Sequence, residues 1–475
     1  MSEKNDDAYL NWRPVKAYLR APLYASIAEQ LEADIANGRL LPNSKLPPQR
    51  DLAEFLDVSV NTITRAYAVC ERKGIVYAMV GSGTFVSPQA VGSAHATGVQ
   101  KGDFIEMGMI EPFPQLNSIV AKTVQAVVAS AELDQLLDYH TPPSHFKHKQ
   151  AGKKWMASNG HEVPAEEVLI TSGTQNSMVV SLTALFRAGD KIAVDPYTYP
   201  NFIELAKLLH ITLVPVPGDD NGMLPDALDK LCHENAIKGL YLVPSCNNPT
   251  TIVITGERRR QLADVTRQHD LILLEDDVHV FLEPERMELP MAVLAPENTV
   301  YLSNVSKGVI GGIRVSFLHA PPRYRAALAS GIFSINLKTP SLNAEITAEM
   351  ILSGAAEQIA RQKAGLAKGR YQLMKRLFPQ FDAPGKLQYL SWWMELPEHL
   401  QQLDGTQVEQ AALDAGVRVF HSNRFKVGNH GDAPSFIRVA TCTVKTDWEL
   451  LEGAARIKKL FQAAAPHKQE EFFIV

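Results

Sequence analysis

The stretch SNVSKGVIGGIRVSF, residues 303–317, sets one lysine, Lys307, among small and apolar residues and one arginine, Arg314, seven positions later. A lysine in such surroundings usually lies at a strand end with its stem along apolar surface and its charge in water. The alternative is an amine placed to react, because a desolvated lysine has a lowered pKa and forms Schiff bases with carbonyl compounds. The residues around it decide between the two.

On either side of this stretch, short apolar runs alternate with helical segments: EVLIT, KIAVD, ITLVPV, IKGLYLV, LILLE, TVYLS and IRVSFL. Strands separated by helices predict a largely parallel sheet covered on both faces. Ligands of such sheets lie beyond the carboxyl ends of the strands. After EVLIT come Gly173 and Thr174, where a strand-to-helix turn offers backbone N–H groups to a phosphate. After KIAVD comes PYTYP, whose Tyr197 and Tyr199 offer a flat ring; Tyr199 is the favoured one. IKGLYLV leads to Asn248, LILLE to Asp276 with His279 three residues on, and TVYLS to Ser306 and Lys307. Each has an ordinary reading, as a turn, a packing ring or a solvated acid. Together they meet the needs of pyridoxal 5'-phosphate: a lysine for its aldehyde, a carboxylate for its pyridine nitrogen and a phosphate cradle.

The first ninety residues have another texture. PLYASIAEQLEADIANGRL predicts an amphipathic helix with Tyr24, Ile27, Leu31 and Ile35 on one face and Gly38 at its end. PPQRDLAEFLD gives a short second helix. Ser59 caps a third over VNTITRAYAVCERKG, closed by Gly74, and two short strands follow around Gly81, Ser82 and Gly83. This order is a winged helix-turn-helix. Its candidate DNA contacts are Asn61, Thr62 and Arg65 on the third helix, Arg50 at the start of the second, and the turn Gly81, Ser82, Gly83 as the wing. The competing reading is a small helical bundle with a polar face. Lysine and arginine only balance aspartate and glutamate in this module, but Arg65, Arg72 and Lys73 face Glu71 alone.

The whole chain, 475 residues with a net charge of −5, is too long for one core and has no general attraction for nucleic acid, so any DNA contact must be local. Four scattered cysteines, Cys70, Cys232, Cys246 and Cys442, argue against a metal site and against a disulfide scaffold. No signal peptide or membrane span is expected, and a cytoplasmic location fits. The expected organisation is a DNA-binding domain over residues 1–88, a linker over 89–103 rich in small residues, and a second body over 104–475 whose smaller part is formed largely by 340–475.

KLPPQRDLAEFLDVSVNTITRAYAVCERKGIVYAMVGSGTFV resembles the DNA-binding domain of the GntR superfamily over about residues 22 to 87. From about residue 104 onward, SGTQ, NNPT, EDDVH, SKGVIGGIR and FIRVA resemble the fold-type I aminotransferases. The resemblance implies that Lys307 carries the cofactor as a Schiff base, Asp276 pairs with the pyridine nitrogen and Asn248 with the ring hydroxyl. It implies that Gly173, Thr174, Ser306 and Arg314 hold the phosphate and that Arg438 binds the α-carboxylate of an amino acid. Tyr139, in LLDYHTPP, resembles the tyrosine that reaches the phosphate of a partner subunit, which implies a homodimer. His279 stands where the family usually has a tyrosine. Joined in this order, the halves are similar to the MocR subgroup of GntR regulators. The expectation is a transcriptional regulator that binds operator DNA and senses pyridoxal phosphate or an amino compound. An active aminotransferase with an accessory DNA-binding module, and a DNA-binding protein with a vestigial cofactor site, are the alternatives.

Overall fold

The structure is a computed structural model that describes residues 12–16, 19–36, 40, 44–72, 75–79, 83–87, 104–139, 145–283, 288–428 and 434–462. It divides into two compact units, Met1–Asp103 and Phe104–Val475. The expected helix stops at Gly38 and Gly74, the wing residues Gly81 and Ser82, and the linker 89–103 lie outside the described residues.

In the first unit, the helix Leu23–Ala36 buries Ile27, Leu31 and Ile35, the apolar stripe expected from their spacing. The helix Gln49–Leu56 ends at Asp57, whose φ of 56° turns the chain sharply toward the third helix, Val60–Arg72. Ser59 caps that helix, its Oγ accepting from the Thr62 N–H at 3.2 Å. Ile63, Ala66, Tyr67 and Cys70 are buried against the first two helices, and the Tyr67 hydroxyl donates to the Pro47 carbonyl at 2.9 Å. Strands Val76–Met79 and Gly83–Val86 pair antiparallel.

The second unit is built on a seven-stranded sheet. Its spatial order is Leu169–Thr171, Ser316–His319, Thr299–Asn304, Ile272–Asp276, Ile237–Leu242, Lys191–Val194 and Thr212–Pro215. All seven apolar runs noted in the sequence supply a strand. Neighbours are parallel except Ser316–His319, which is antiparallel to both of its partners. Because that strand runs backwards, it begins at the rim where the parallel strands end. The excursion through residues 305–315 therefore leaves and re-enters the sheet at one edge.

Both faces are covered by helices. Ile272 and Leu274 face one apolar cluster with Phe202 and Tyr241, while Leu271 and Leu273 face another with Leu240 and Leu262, as the two-residue period of a strand requires. A three-stranded antiparallel sheet, Ser391–Glu395, Phe436–Ala440 and Phe420–His421, forms a separate layer. It is backed by helices Ala355–Leu377 and Asp447–Gln462, with Met374, Trp392, Ile437, Val439 and Ile457 between them. No described helix is long and apolar enough to cross a membrane.

Candidate cofactor site and nucleic-acid face

Three acids, Glu275, Asp276 and Asp277, end one central strand, and strand alternation sends them to different work. Glu275 accepts the backbone N–H groups of Met291 and Ala292 at 2.8 and 2.9 Å. Asp277 accepts the Tyr301 hydroxyl at 2.9 Å. Burial raises the pKa of both, and the buried Arg259 opposes the rise. Both carboxyl oxygens of Glu275 are met by the fold, while Asp277 keeps Oδ1 buried without a hydrogen-bond partner on the face away from Asp276. Asp276 lies on the other face, where Oδ2 accepts the Tyr241 hydroxyl at 3.0 Å and Oδ1 is buried with no hydrogen-bond partner. Burial pushes this carboxyl up to about 7, with Asp277 adding to the rise and Tyr241 and Lys307 opposing it. A buried carboxylate with an open oxygen is costly unless a donor arrives to meet it.

Lys307 sits on the turn after strand Thr299–Asn304, partly buried. Its Nζ donates to the Ile110 carbonyl at 2.5 Å. Loss of water lowers its pKa; Arg438 and Arg314 lower it further, while Cys442 and Glu111 oppose them. Ser306, one residue earlier, has a buried Oγ with no partner, while its backbone N–H donates to Asn304 Oδ1 at 3.0 Å.

Arg314 closes the same excursion with a φ of 54°. Its guanidinium lies over Gly173, the residue ahead of helix Thr174–Leu185, so closely that a Cβ there would stand 2.7 Å from Nη2. Gly173 has φ 86° and ψ 162°, a conformation essentially restricted to glycine. A helix N-terminus opened by Thr174 and the Arg314 guanidinium thus meet at Gly173, a combination chemically suited to an anion.

The other named residues fall around these groups. Tyr199, ahead of helix Pro200–Leu208, has its hydroxyl pKa raised by burial and by Asp276, with Arg314 and Arg438 opposing. A hydrogen bond with the Asn201 side chain also opposes the rise. Tyr197 instead packs its ring on Trp393 at 5.4 Å and on Phe436 at 6.3 Å. His279 is buried; its Nδ1 bonds to the Cys246 carbonyl at 3.0 Å, and burial lowers its pKa to about 4, so the imidazole is neutral. Tyr139 is 70% exposed, at the end of a described segment.

Arg438 lies on the central strand of the small sheet, on the face opposite Ile437 and Val439. It donates through Nη1 to Asn248 Oδ1 at 2.7 Å and through Nη2 to the Gly108 carbonyl at 2.5 Å. Its Nε is buried without a partner, its guanidinium lies 4.7 Å from the Phe425 ring centre, and burial brings its pKa down to about 10.

Three parts of this arrangement escape a reading of residue types alone. Tyr241, hidden inside the apolar run IKGLYLV, stacks on Phe202 at 3.7 Å and holds Asp276. Asp195, at the end of KIAVD, accepts from Asn247 Nδ2 at 2.8 Å and is pushed by burial to about 7. The segment 108–110 supplies the backbone carbonyls on which both Arg438 and Lys307 rest, and backbone acceptors leave no trace in residue type.

In the first unit, Arg50, Asn61 and Arg65 are exposed. The Arg65 guanidinium stacks 4.1 Å over Tyr24. Thr62 shares its hydroxyl with Ser59 at 2.9 Å, and Gly83 takes a φ of 115° at the start of its strand. Thr64, not among the expected contacts, ties the third helix to the second through Gln49 Oε1 at 2.6 Å.

Residues 111–457 match the family described as aminotransferase class I and II, and residues 23–86 match the bacterial regulatory proteins of the gntR family. The uncharacterized HTH-type transcriptional regulator YdeF of Bacillus subtilis (strain 168) is 33% identical over 452 residues, 95% of this chain and 97% of its own length. The HTH-type pyridoxine biosynthesis transcriptional regulator PdxR of Corynebacterium glutamicum is 24% identical over 74% of this chain and 77% of its own. The fold of the second unit is shared with LysN, the α-aminoadipate aminotransferase of Thermus thermophilus, with a TM-score of 0.68 and 21% identity over 78% of this chain and 98% of that one. The chain belongs to the HTH-type transcriptional regulators of the MocR type, in which a GntR-family DNA-binding domain precedes a class I and II aminotransferase domain.

Proposed function

We propose that this regulator binds pyridoxal 5'-phosphate in the second unit and alters its grip on operator DNA when the cofactor, or an amino compound reacting with it, occupies the site. The observation that carries this is the set of buried polar atoms left open around Lys307: Asp276 Oδ1, Ser306 Oγ and Arg438 Nε. Folding leaves such atoms unpaired at a cost that a ligand can remove. Their chemistry fits the cofactor group by group. The bound cofactor supplies an electrophilic aldehyde and an electron-withdrawing ring.

Lys307 is the attachment point, its amine pushed toward the neutral, nucleophilic form by loss of water. Asp276, held by Tyr241, accepts the hydrogen bond of the protonated pyridine nitrogen, and that neighbouring cation favours its ionised form. Tyr199 covers the ring; Asn248 and the neutral His279 flank its hydroxyl. Gly173, Thr174, Ser306 and Arg314 hold the phosphate, and Tyr139 extends to the phosphate of a partner in a homodimer. Arg438 orients the carboxylate of an incoming amino compound.

Coupling to DNA runs through the segment 108–110. Lys307 and Arg438 both donate to its carbonyls, so a ligand that claims either side chain takes a tether from this segment, which follows the linker. An effector shifts the equilibrium between two states only by its differential affinity for them, and these two hydrogen bonds supply such a difference. On this reading the DNA-binding domain spans residues 1–88, the linker 89–103 and the sensing domain 104–475, with its smaller part largely over 340–475. Arg50, Asn61, Thr62, Arg65 and the wing of Gly81, Ser82 and Gly83 face the operator, and the protein acts in the cytoplasm at the nucleoid.

The test is the near-visible absorbance of purified protein with the cofactor, together with operator binding in the presence and absence of candidate amines. Cofactor uptake that leaves DNA affinity unchanged by any amine would overturn the sensing role. A second reading, an active aminotransferase, is favoured by the retention of Lys307, Asp276 and Arg438 together. Turnover of an amino donor and a keto acceptor, unaffected by removal of residues 1–88, would select it.

A further inference from the structure

On the second unit, Asp229 and His233 stand four residues apart on helix Pro225–Glu234, and His269 follows helix Gly256–Gln268. His269 Nε2 bonds to Asp229 Oδ1 at 2.7 Å, and His233 Nδ1 stands 3.7 Å from Asp229 Oδ2. The imidazole rings are 4.9 Å apart and nearly perpendicular, and one ligand-capable atom from each of the three side chains falls within 4.8 Å of the others. The Gln268 amide nitrogen lies 3.0 Å from Asp229 Oδ1, and a half-turn of that amide would offer its oxygen instead.

We propose that Asp229, His233 and His269 form a binding site for a borderline divalent ion of the zinc class. Two imidazoles and one carboxylate suit zinc, copper or nickel, whereas calcium and magnesium favour oxygen-only shells. Zinc at about 2.0–2.2 Å from each donor needs donor spacings of about 3.3 Å. His233 Nδ1 also bonds to the Asp229 backbone carbonyl at 2.9 Å, and a rotation of this 63% exposed side chain that gives up that bond would close the gap. Three protein donors leave one position for water or the Gln268 oxygen. The bound ion would brace helix Pro225–Glu234 against helix Gly256–Gln268.

The site is separate from the cofactor groups: His269 precedes strand Ile272–Asp276 and so lies at the opposite end of the sheet from the Asp276 rim. The expectation of no metal site rested on the scattered cysteines, and this donor set contains no thiolate. The DxxxH spacing of residues 229–233 brings a carboxylate and an imidazole onto one helix face, and the fold supplies the third donor.

The experiment titrates chelator-stripped full-length protein with zinc against a chromophoric indicator, and with cobalt(II) followed by its visible ligand-field bands. The expected result is one saturable equivalent, weakened at least about 10-fold in His233→Ala and in His269→Ala, with the cobalt bands lost in the double variant. A zinc-dependent rise in Tm in the native chain and not in the double variant is also expected. Asp229→Asn, which keeps the shape and a hydrogen-bonding oxygen, should weaken zinc without changing the circular dichroism. Unchanged affinity and stoichiometry in the double variant, or absence of saturable binding in the native chain, would overturn the proposal.

Discussion

The two units spend polarity in opposite ways. In the DNA-binding unit the polar groups off the candidate DNA face serve the fold: the buried Tyr67 hydroxyl reaches a carbonyl, and the exposed Ser59 completes a helix cap with Thr62. Its candidate function lies on exposed Arg50, Asn61 and Arg65. In the second unit, the polar atoms of interest are buried and unpaired, at Asp276, Ser306 and Arg438. Exposed polarity costs little, so it is weak testimony to function. Buried polarity without a partner is costly, and it points to something that must come and satisfy it.

That contrast breaks most sharply at Lys307. Lys307→Ala is expected to abolish covalent uptake of pyridoxal phosphate, read as complete loss of the near-visible absorbance band, with the fold retained. Next comes Gly173→Ala, where a positive φ and the Arg314 guanidinium at 2.7 Å both resist a methyl group. It should cost about 1–3 kcal/mol in cofactor affinity or stability, measured by cofactor titration and thermal melts.

Asp276 sharpens the comparison through pH. Its folded pKa, about 7, lies above its usual value of 3.8. The folded state therefore holds a proton that the unfolded state gives up between those values, and stability of cofactor-free protein should fall as pH rises through that window. Asp276→Asn should accordingly raise Tm at pH 8 by the equivalent of about 1–2 kcal/mol, with much less gain at about pH 4, while weakening the cofactor. A gain that does not depend on pH would show that the burden lies elsewhere. The smallest effects belong to the exposed face. Arg65→Ala should reduce DNA affinity by about 1 kcal/mol and the salt slope by about 1, measured by titration at several salt concentrations.

The same difference explains what could be read from residues alone. All seven strands of the large sheet announced themselves as apolar runs, and the helices of the first unit by spacing and caps, because burial on two faces or one leaves a periodic imprint. Asp276 and Lys307 were legible as charges at strand ends. Strand alternation then parted Asp276 from Glu275 and Asp277, a division that three consecutive acids do not announce. That Tyr197 packs on Trp393 and Phe436, while Tyr199 does not, was not legible in PYTYP. The carbonyls of Gly108 and Ile110 were invisible because every residue has one.

The antiparallel strand Ser316–His319 sets a further condition on the stretch between Lys307 and Arg314. Since the chain goes out and back at a single rim, residues 308–313, GVIGGI, act as a ruler between the anchoring amine and the anion-gripping guanidinium. A Cβ at Gly312 would meet nothing within 4 Å, so side chains are negotiable there while length is not. Evolution can repaint this loop at such positions, but one residue more or less would put the two charges out of step with a molecule of fixed size.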